Sequence, residues 1–310
     1  MSDLTLTEAE RQQFEDRGFF VRESVFDLTD LERLRIAAER VTEQAARAVA
    51  AIGSGESIRV DDDYRIDGNR YVEIGRSTIQ FEHGEGSKTI RVIEPFHHLD
   101  PSFDALVEDP RIVVPLCGVL GGDRIALWTD KINLKRPREG SGFRWHQDSP
   151  YWSHVCGHCS QLPNVMITLD DADRGNGCFR VVPGSHRDGF LPGIEDGTTL
   201  GPLFTDPSAF DEDAQWLAEV PAGSLVVFSA HSVHGSEPNR SDRARRAIVL
   251  TYQPADNPMF KLEGTRNFQL GARELLSVAD TFNAVVDTSK AVVDTSNGIV
   301  DTLGGAERVA

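Results

Sequence analysis

His146 and Asp148 stand two residues apart in Arg144-Trp145-His146-Gln147-Asp148-Ser149, and far downstream His234 stands in His231-Ser232-Val233-His234-Gly235-Ser236. Two imidazoles and one carboxylate are the ligand set of a facial triad. Such a triad holds non-haem Fe(II) by one face and leaves the remaining coordination positions open. Open positions on a redox metal mean O2 chemistry rather than structural support. In an extended segment, residues i and i+2 point the same way, so His146 and Asp148 reach one metal while Gln147 faces away. A His-x-Asp pair alone is a weak signal. Its meaning comes from the company that both pieces keep.

The downstream company is informative. Ser224–Phe228 reads as a strand running into the His231–Ser236 segment, and after a turn-like stretch a second strand covers Arg245–Tyr252. This reads as a hairpin, with His234 near the end of one arm and Arg245 near the start of the other. The planar fork of an arginine beside a ferrous centre can hold a dicarboxylate by a bidentate pair while the other end of that molecule chelates the metal. Arg246 is the competing residue for this role.

The elements that must position these groups can be read along the chain. Thr7-Glu8-Ala9-Glu10 is a capping box and Gly18 a helix stop; Thr29-Asp30-Leu31-Glu32 reads as a second box. Apolar residues at Leu31, Leu34, Ala38, Val41, Ala45, Ala48 and Ile52 make one helical stripe ending at Gly53. Residues 54–90 are rich in Gly, Asp, Arg and Ser, with strand-like Tyr71-Val72-Glu73-Ile74, and are open to a lid role. Short helices are expected at Pro101–Glu108 and Pro110–Leu120. From 124 to 255 the texture turns to short β-rich runs between turns, at Ile125–Leu134, Val165–Leu169, Phe179–Val182, Ser224–Phe228 and Ala247–Tyr252, which points to a sandwich or barrel. In the first run Thr129, Lys131, Asn133 and Lys135 share one face, suited to lining a polar cavity or to facing solvent. The tail repeats Ala-Val-Val-Asp-Thr-Ser at a spacing of seven, as an accessory segment over 276–310 beyond a single domain at 1–275, with its core at about 124–255 and helical support at 5–120.

Composition removes several functions. The chain has 310 residues and a net charge of −17, which disfavours nucleic-acid and anionic-membrane partners. No run approaches the roughly 18 apolar residues that span a bilayer. Met1-Ser2-Asp3-Leu4-Thr5 has no basic region followed by an apolar run, so a cytoplasmic location is expected. The four cysteines, Cys117, Cys156, Cys159 and Cys178, do not form a disulfide framework. His154-Val155-Cys156-Gly157-His158-Cys159 could be taken for a zinc knot, but no second cluster follows, so a loop beside the active site is the expected role.

At this point the chain resembles the phytanoyl-CoA dioxygenase family of Fe(II)/2-oxoglutarate oxygenases, with ectoine hydroxylase-like motifs. The likeness is carried by Trp145-His146-Gln147-Asp148, by Gly175-Asn176-Gly177-Cys178-Phe179-Arg180-Val181-Val182-Pro183-Gly184-Ser185-His186, by His234-Gly235-Ser236 with Asn239, Ser241 and Arg245, and by the opening Leu6-Thr7 through Gly18-Phe19-Phe20-Val21. It covers about residues 5–255. The resemblance implies a mainly β fold, a double-stranded β-helix (a cupin-like jelly roll), packed by N-terminal helices. It implies His146, Asp148 and His234 as iron ligands. It implies Arg245, Ser236 and Asn133 as 2-oxoglutarate contacts. The Gly-Ser after His234 favours that residue over His231. His186 is expected to be structural, and His154, His158, His97 and His98 are not expected to be ligands; Trp145, Tyr151 and Trp152 suit a pocket wall or ordinary packing equally.

The expected activity is hydroxylation of an unactivated C–H bond of a small molecule, with Fe(II), 2-oxoglutarate and O2 as cofactor and co-substrates, succinate and CO2 as products, and ascorbate as an activator in vitro. Desaturation or cyclisation by the same oxidant is an alternative. So is a non-catalytic jelly-roll sensor that binds a metal or a small acid, or a metal-dependent lyase or isomerase on the same barrel. Asp148 argues against halogenation, because related halogenases leave that ligand position empty. The expected partner is a small-molecule substrate, with a homo-oligomer left open.

Overall fold

Two antiparallel sheets face each other, and helices cover the outer side of the larger one. The structure, a computed structural model, describes residues 4–51, 58–60, 70–84, 86–197, 201–255 and 257. These lie in a unit running from Met1 to Gly271. The expected accessory repeat at 276–310 and the Gly53 stop lie outside the described residues.

Helix α1 (Glu8–Arg17) starts where the sequence puts it: the Thr7 hydroxyl accepts from the Glu10 backbone N–H at 3.2 Å, and Glu10 accepts from the Thr7 N–H at 2.8 Å. Gly18 closes it at φ 81°, a left-handed conformation that a Cβ disfavours, and a Cβ there would also lie 2.6 Å from the His186 ring and the Ser232 hydroxyl. Strand β1 (Phe19–Arg22) follows. Helix α2 (Leu28–Ala51) begins before the expected Thr29 box, because Asp27 already caps it by accepting from the Asp30 N–H at 2.9 Å. Its stripe of Leu31, Leu34, Ala37, Ala38, Val41 and Ala45 is buried as the spacing requires. Leu34 is wholly covered, so truncation to alanine should cost about 3 kcal/mol.

The larger sheet has the order β1, β11 (Leu225–Ser229), β8 (Pro163–Thr168), β13 (Arg245–Pro254), β6 (Ile125–Lys135), β5 (Ile90–Glu94), β4 (Ser77–Phe81), β3 (Arg70–Ile74), β2 (Ile58–Val60). The smaller has the order β10 (Trp216–Leu217), β9 (Phe179–Val181), β12 (His234–Ser236), β7 (Phe143–His146). Helices α3 (Pro101–Leu106) and α4 (Pro110–Leu120) join α2 on the outer face, where Ile132, Leu134, Val165, Ile167, Ile248 and Leu250 meet them. The alternate residues point inward: Met166, Val226, Phe228, Ala247 and Val249 pack on Phe179 and Val181 of the smaller sheet. The central strands are thus buried on both faces, as a sandwich sheet covered by helices must be.

Residues 70–74 and 77–81, within the stretch open to a lid role, are strands β3 and β4 of the larger sheet, while most of 54–69 lies outside the described residues. One expectation changes here. The expected hairpin is absent. Strand β11 already has β1 and β8 on its two sides, so the chain after Ser229 crosses over and places His234 in the opposite sheet, before returning to the larger sheet at Arg245. Among the described residues, no helix is long and apolar enough to cross a membrane.

Candidate active site

Neighbouring strands of the smaller sheet bring the two histidines together: His234 on β12 lies directly opposite His146 on β7, with ring centroids 4.2 Å apart. Each ring is oriented by the backbone two residues before it. His146 Nδ1 lies 2.7 Å from the Arg144 carbonyl, and His234 Nδ1 lies 2.9 Å from the Ser232 carbonyl. A carbonyl can only accept, so Nδ1 carries the hydrogen and Nε2 presents its lone pair inward.

Asp148 arrives differently from the expected extended i, i+2 geometry. It has left the strand and stands at the entry of the short helix α5 (Ser149–Trp152), with its N–H bonded to the Ala230 carbonyl at 3.0 Å. Its carboxylate still lies 3.8 Å from His146 Nε2 and 3.7 Å from His234 Nε2. One ligand atom from each of the three residues falls within 4.8 Å of the others. A single ion bound at about 2.0–2.2 Å from each would bridge such separations. Among the described residues, this is the one group of His, Cys, Asp or Glu so arranged.

The electrostatics suit a cation. Burial, with the neighbouring His234, pushes His146 down to about 3, against the opposing pull of Asp148. Burial also lowers His234. For Asp148 burial acts upward, but Lys131, His234, His146 and the Asn164 hydrogen bond outweigh it and hold the carboxyl below its usual value. Two neutral imidazoles and one carboxylate result. Asn164 donates to Asp148 Oδ2 at 2.9 Å and itself accepts from the Thr251 hydroxyl at 2.5 Å, which fixes the carboxylate plane. Lys131 Nζ stands 3.7 Å from Asp148 Oδ1.

From this point a narrow cavity of about 40 Å³ runs between the sheets. Phe143, Phe179 and Phe228 form apolar walls, and Asn133, Ser236 and Arg245 supply polar groups. Arg245 is 3% exposed and donates to the Gly177 carbonyl at 2.9 Å, while its Nε has no partner. Asn133 Oδ1 is likewise buried without a partner. No carboxylate pairs with Arg245 among the described residues, and burial lowers its pKa to about 10, with Cys178 and Asp170 opposing. A desolvated guanidinium without an anion is costly, and it fits a ligand that brings a carboxylate. The donor set and this cationic end together fit Fe(II) with 2-oxoglutarate.

The competing residues fall elsewhere. His231 Nδ1 pairs with the Ser149 hydroxyl at 2.7 Å and is outside the cluster. Arg246 turns to the outer face and forms a fork with Asp170 plus a bond to Glu39. Gln147 faces away, as expected, and bonds the carbonyls of Gly189 and His231. His97 pairs with buried Asp130 at 2.8 Å, and His158 with Gln253 at 3.0 Å. His186 bonds the Glu15 carbonyl, a structural contact. Cys156 and Cys159 are free thiols with sulfurs 3.1 Å apart, in a loop packed with Trp128 and Trp152. Trp145 faces away from the cavity and stacks on Arg180, whereas Tyr151 meets the His146 ring edge-on.

Asn164 escaped sequence reasoning in this role, although it was visible as the one amide within the apolar run Pro163-Asn164-Val165-Met166-Ile167. Lys135 was read on the polar face of β6, but a strand pattern does not say that such a lysine is wholly buried.

Comparison with known proteins bears on the family and the fold. Residues 14–247 match the family model described as phytanoyl-CoA dioxygenase (PhyH). The chain is 30% identical over 190 residues to L-proline trans-4-hydroxylase of Streptomyces griseoviridis, covering 56% of this chain and 70% of that protein. It is 32% identical over 185 residues to a probable alpha-ketoglutarate-dependent hypophosphite dioxygenase of Stutzerimonas stutzeri, covering 58% of this chain but only 63% of that protein, under two thirds of its length. Among solved structures, EctD from S. alaskensis, determined with 2-oxoglutarate and 5-hydroxyectoine, has the same jelly-roll fold with a TM-score of 0.59 at 22% identity, covering 88% of this chain and 86% of that one.

Proposed function

This chain belongs to the phytanoyl-CoA dioxygenase family and is thereby a non-haem Fe(II)/2-oxoglutarate-dependent dioxygenase; from that premise we propose that it hydroxylates an unactivated C–H bond of a small-molecule substrate. The single observation that carries this reading is the pairing of the His146, Asp148 and His234 cluster with a buried, anion-free Arg245 at the far end of one cavity. His146, Asp148 and His234 are assigned as the iron ligands. Arg245, with Ser236 and Asn133 beside it, is assigned to the far carboxylate of 2-oxoglutarate. Ascorbate is expected to sustain activity in vitro by keeping the iron reduced.

The iron, when bound with 2-oxoglutarate and O2, supplies the oxidising power, so that one C–H becomes C–OH while 2-oxoglutarate becomes succinate and CO2. The protein's own part is orientation and exclusion of water. Backbone carbonyls fix both imidazoles, Asn164 fixes the acid, and Phe143, Phe179 and Phe228, which line the cavity, would shield the co-substrate's methylene groups.

The test is succinate release on adding Fe(II), ascorbate and 2-oxoglutarate to the purified protein. Wild type should form succinate, and Asp148→Ala should form none. Unchanged turnover in that variant would refute the ligand assignment, and a wild type that forms no succinate would overturn the reaction class.

A further inference from the structure

Lys135 and Arg245 are directly opposed residues on adjacent strands β6 and β13, and both side chains point into the sandwich. Like charges placed so are ordinarily destabilising. Here both are also stripped of water: Lys135 has no exposed surface and Arg245 has 3%. Neither forms a direct ion pair with a carboxylate among the described residues, although Glu82 acts on Lys135 and Asp170 on Arg245 at longer range. Lys135 instead donates to the Ser236 hydroxyl at 2.8 Å, to the Gly177 carbonyl at 3.2 Å, and to the Glu237 carbonyl. Arg245 donates to the same Gly177 carbonyl. Gly177 can bring that carbonyl in because it sits at φ 71° and has no Cβ, which would collide with the Glu237 carbonyl and crowd the Lys135 ammonium. The Gly175-Asn176-Gly177 motif is therefore a backbone bridge between two buried cations.

Resting on the reading of function above, we propose that Lys135 is a positioning residue for the far carboxylate of 2-oxoglutarate. It acts through the Ser236 hydroxyl and through the Gly177 carbonyl that it shares with Arg245. An ammonium can only donate, so the Ser236 oxygen must accept from it. The hydroxyl's own hydrogen is then left to point at the co-substrate. The same ammonium holds Gly177 where it restrains the Arg245 fork. Burial, with Arg245 and Arg91 nearby, depresses the lysine well below its usual value against the opposing pull of Glu82 and Cys178, and an arriving carboxylate would favour the charged form.

The experiment uses full-length protein loaded with Zn(II), which does not turn over, and measures Kd by calorimetry for 2-oxoglutarate and for pyruvate. Pyruvate has the same chelating end without the far carboxylate. Lys135→Met should weaken 2-oxoglutarate by about tenfold or more, as expected for losing charge-assisted hydrogen bonding, and should leave pyruvate within about twofold. In a Ser236→Ala background the effect of Lys135→Met should shrink, because the two act as one unit. Where the methionine variant does not fold by circular dichroism, Lys135→Gln, which keeps a donor, is put through the same comparison. Unchanged 2-oxoglutarate affinity, equal loss for both acids, or independent effects of the two substitutions would each overturn the proposal. A wild type that binds neither acid would instead overturn the functional reading beneath it.

Discussion

Arg245→Met separates binding from stability with opposite signs. In the structure the guanidinium is buried, has one hydrogen bond, and faces no acid, and its pKa is down to about 10 chiefly through burial. A cation whose folded pKa is depressed carries its cost wherever it is charged in both states, which includes neutral pH. A drop of this size corresponds to roughly 3 kcal/mol at about 1.36 kcal/mol per pH unit. The ligand-free fold therefore stands to gain that much when the charge is removed. Loss of the bond to Gly177 takes back about 1 kcal/mol, softened because Lys135 still serves that carbonyl. The net expectation is an unliganded melting temperature that is unchanged or raised by several degrees. Binding moves the other way. A carboxylate that arrives at Arg245 recovers the cost of the buried charge, so its loss should weaken 2-oxoglutarate by about the same 3 kcal/mol, roughly a hundredfold in Kd. Calorimetry on the Zn(II) protein and thermal melting without ligand read the two effects. Arg246→Met is the control, since it breaks the Asp170 fork and should lower the melting temperature while leaving Kd alone. A lower melting temperature for Arg245→Met together with a Kd within threefold of wild type would refute the reasoning.

Further outcomes follow from the same contacts. Asn164→Ala removes the donor that orients Asp148 and should lower metal affinity by about 10- to 100-fold, measured by chelator competition, with little effect from substituting exposed amides. His231→Ala should leave metal binding intact and His234→Ala should abolish it, because the two residues differ in which group they face. His83, lowered to about 4 by burial and by Arg91, should show a proton-NMR titration midpoint near that value. Its folded pKa lies below its unfolded one, so its contribution is whole above about 6.5 and is lost as pH falls toward 4; a midpoint near 6.5 would contradict it. Raising the salt from low to about 0.5 M should change 2-oxoglutarate affinity only slightly, since buried charges are weakly screened, and a steep loss would place the anion site on the surface.

Much of this was legible in the chain because it is local. The Thr7 cap, the α2 stripe and the inward and outward alternation of β6 each depend on residues a few positions apart. His146 and Asp148 were legible for the same reason, although the acid reaches the site from a helix entry and not from a strand. The hairpin expectation failed because hydrophobic alternation gives a strand's faces and not its neighbours: nothing in Ser224–Phe228 says that β1 and β8 already occupy both its edges. Asn164 and Lys135 depend on register between distant strands, Asn164 opposite Thr251 and Lys135 opposite Arg245, so their roles emerge only when the sheet is assembled.

The arrangement also reconciles an acidic protein with an anionic co-substrate. The net charge is −17, yet Lys131 and Arg245 line the cavity and Lys135 stands behind its Ser236 wall. Lys131 is answered by Asp148 at the metal end, but the hydrogen bonds of the pair at the far end go to carbonyls and a hydroxyl, with Glu82 and Asp170 acting only from a distance. Neutral acceptors solvate a cation without cancelling its charge, so the far end stays positive and the cost of that charge remains in the ligand-free fold. 2-Oxoglutarate carries two negative charges separated by a short apolar stem. One end suits a metal with open positions, the other suits the Lys135 and Arg245 pair, and the stem suits the phenylalanine walls between them. On the assignment proposed for Arg245 and Lys135, a monoacid would leave the far cations uncancelled, and discrimination against it would need no steric gate.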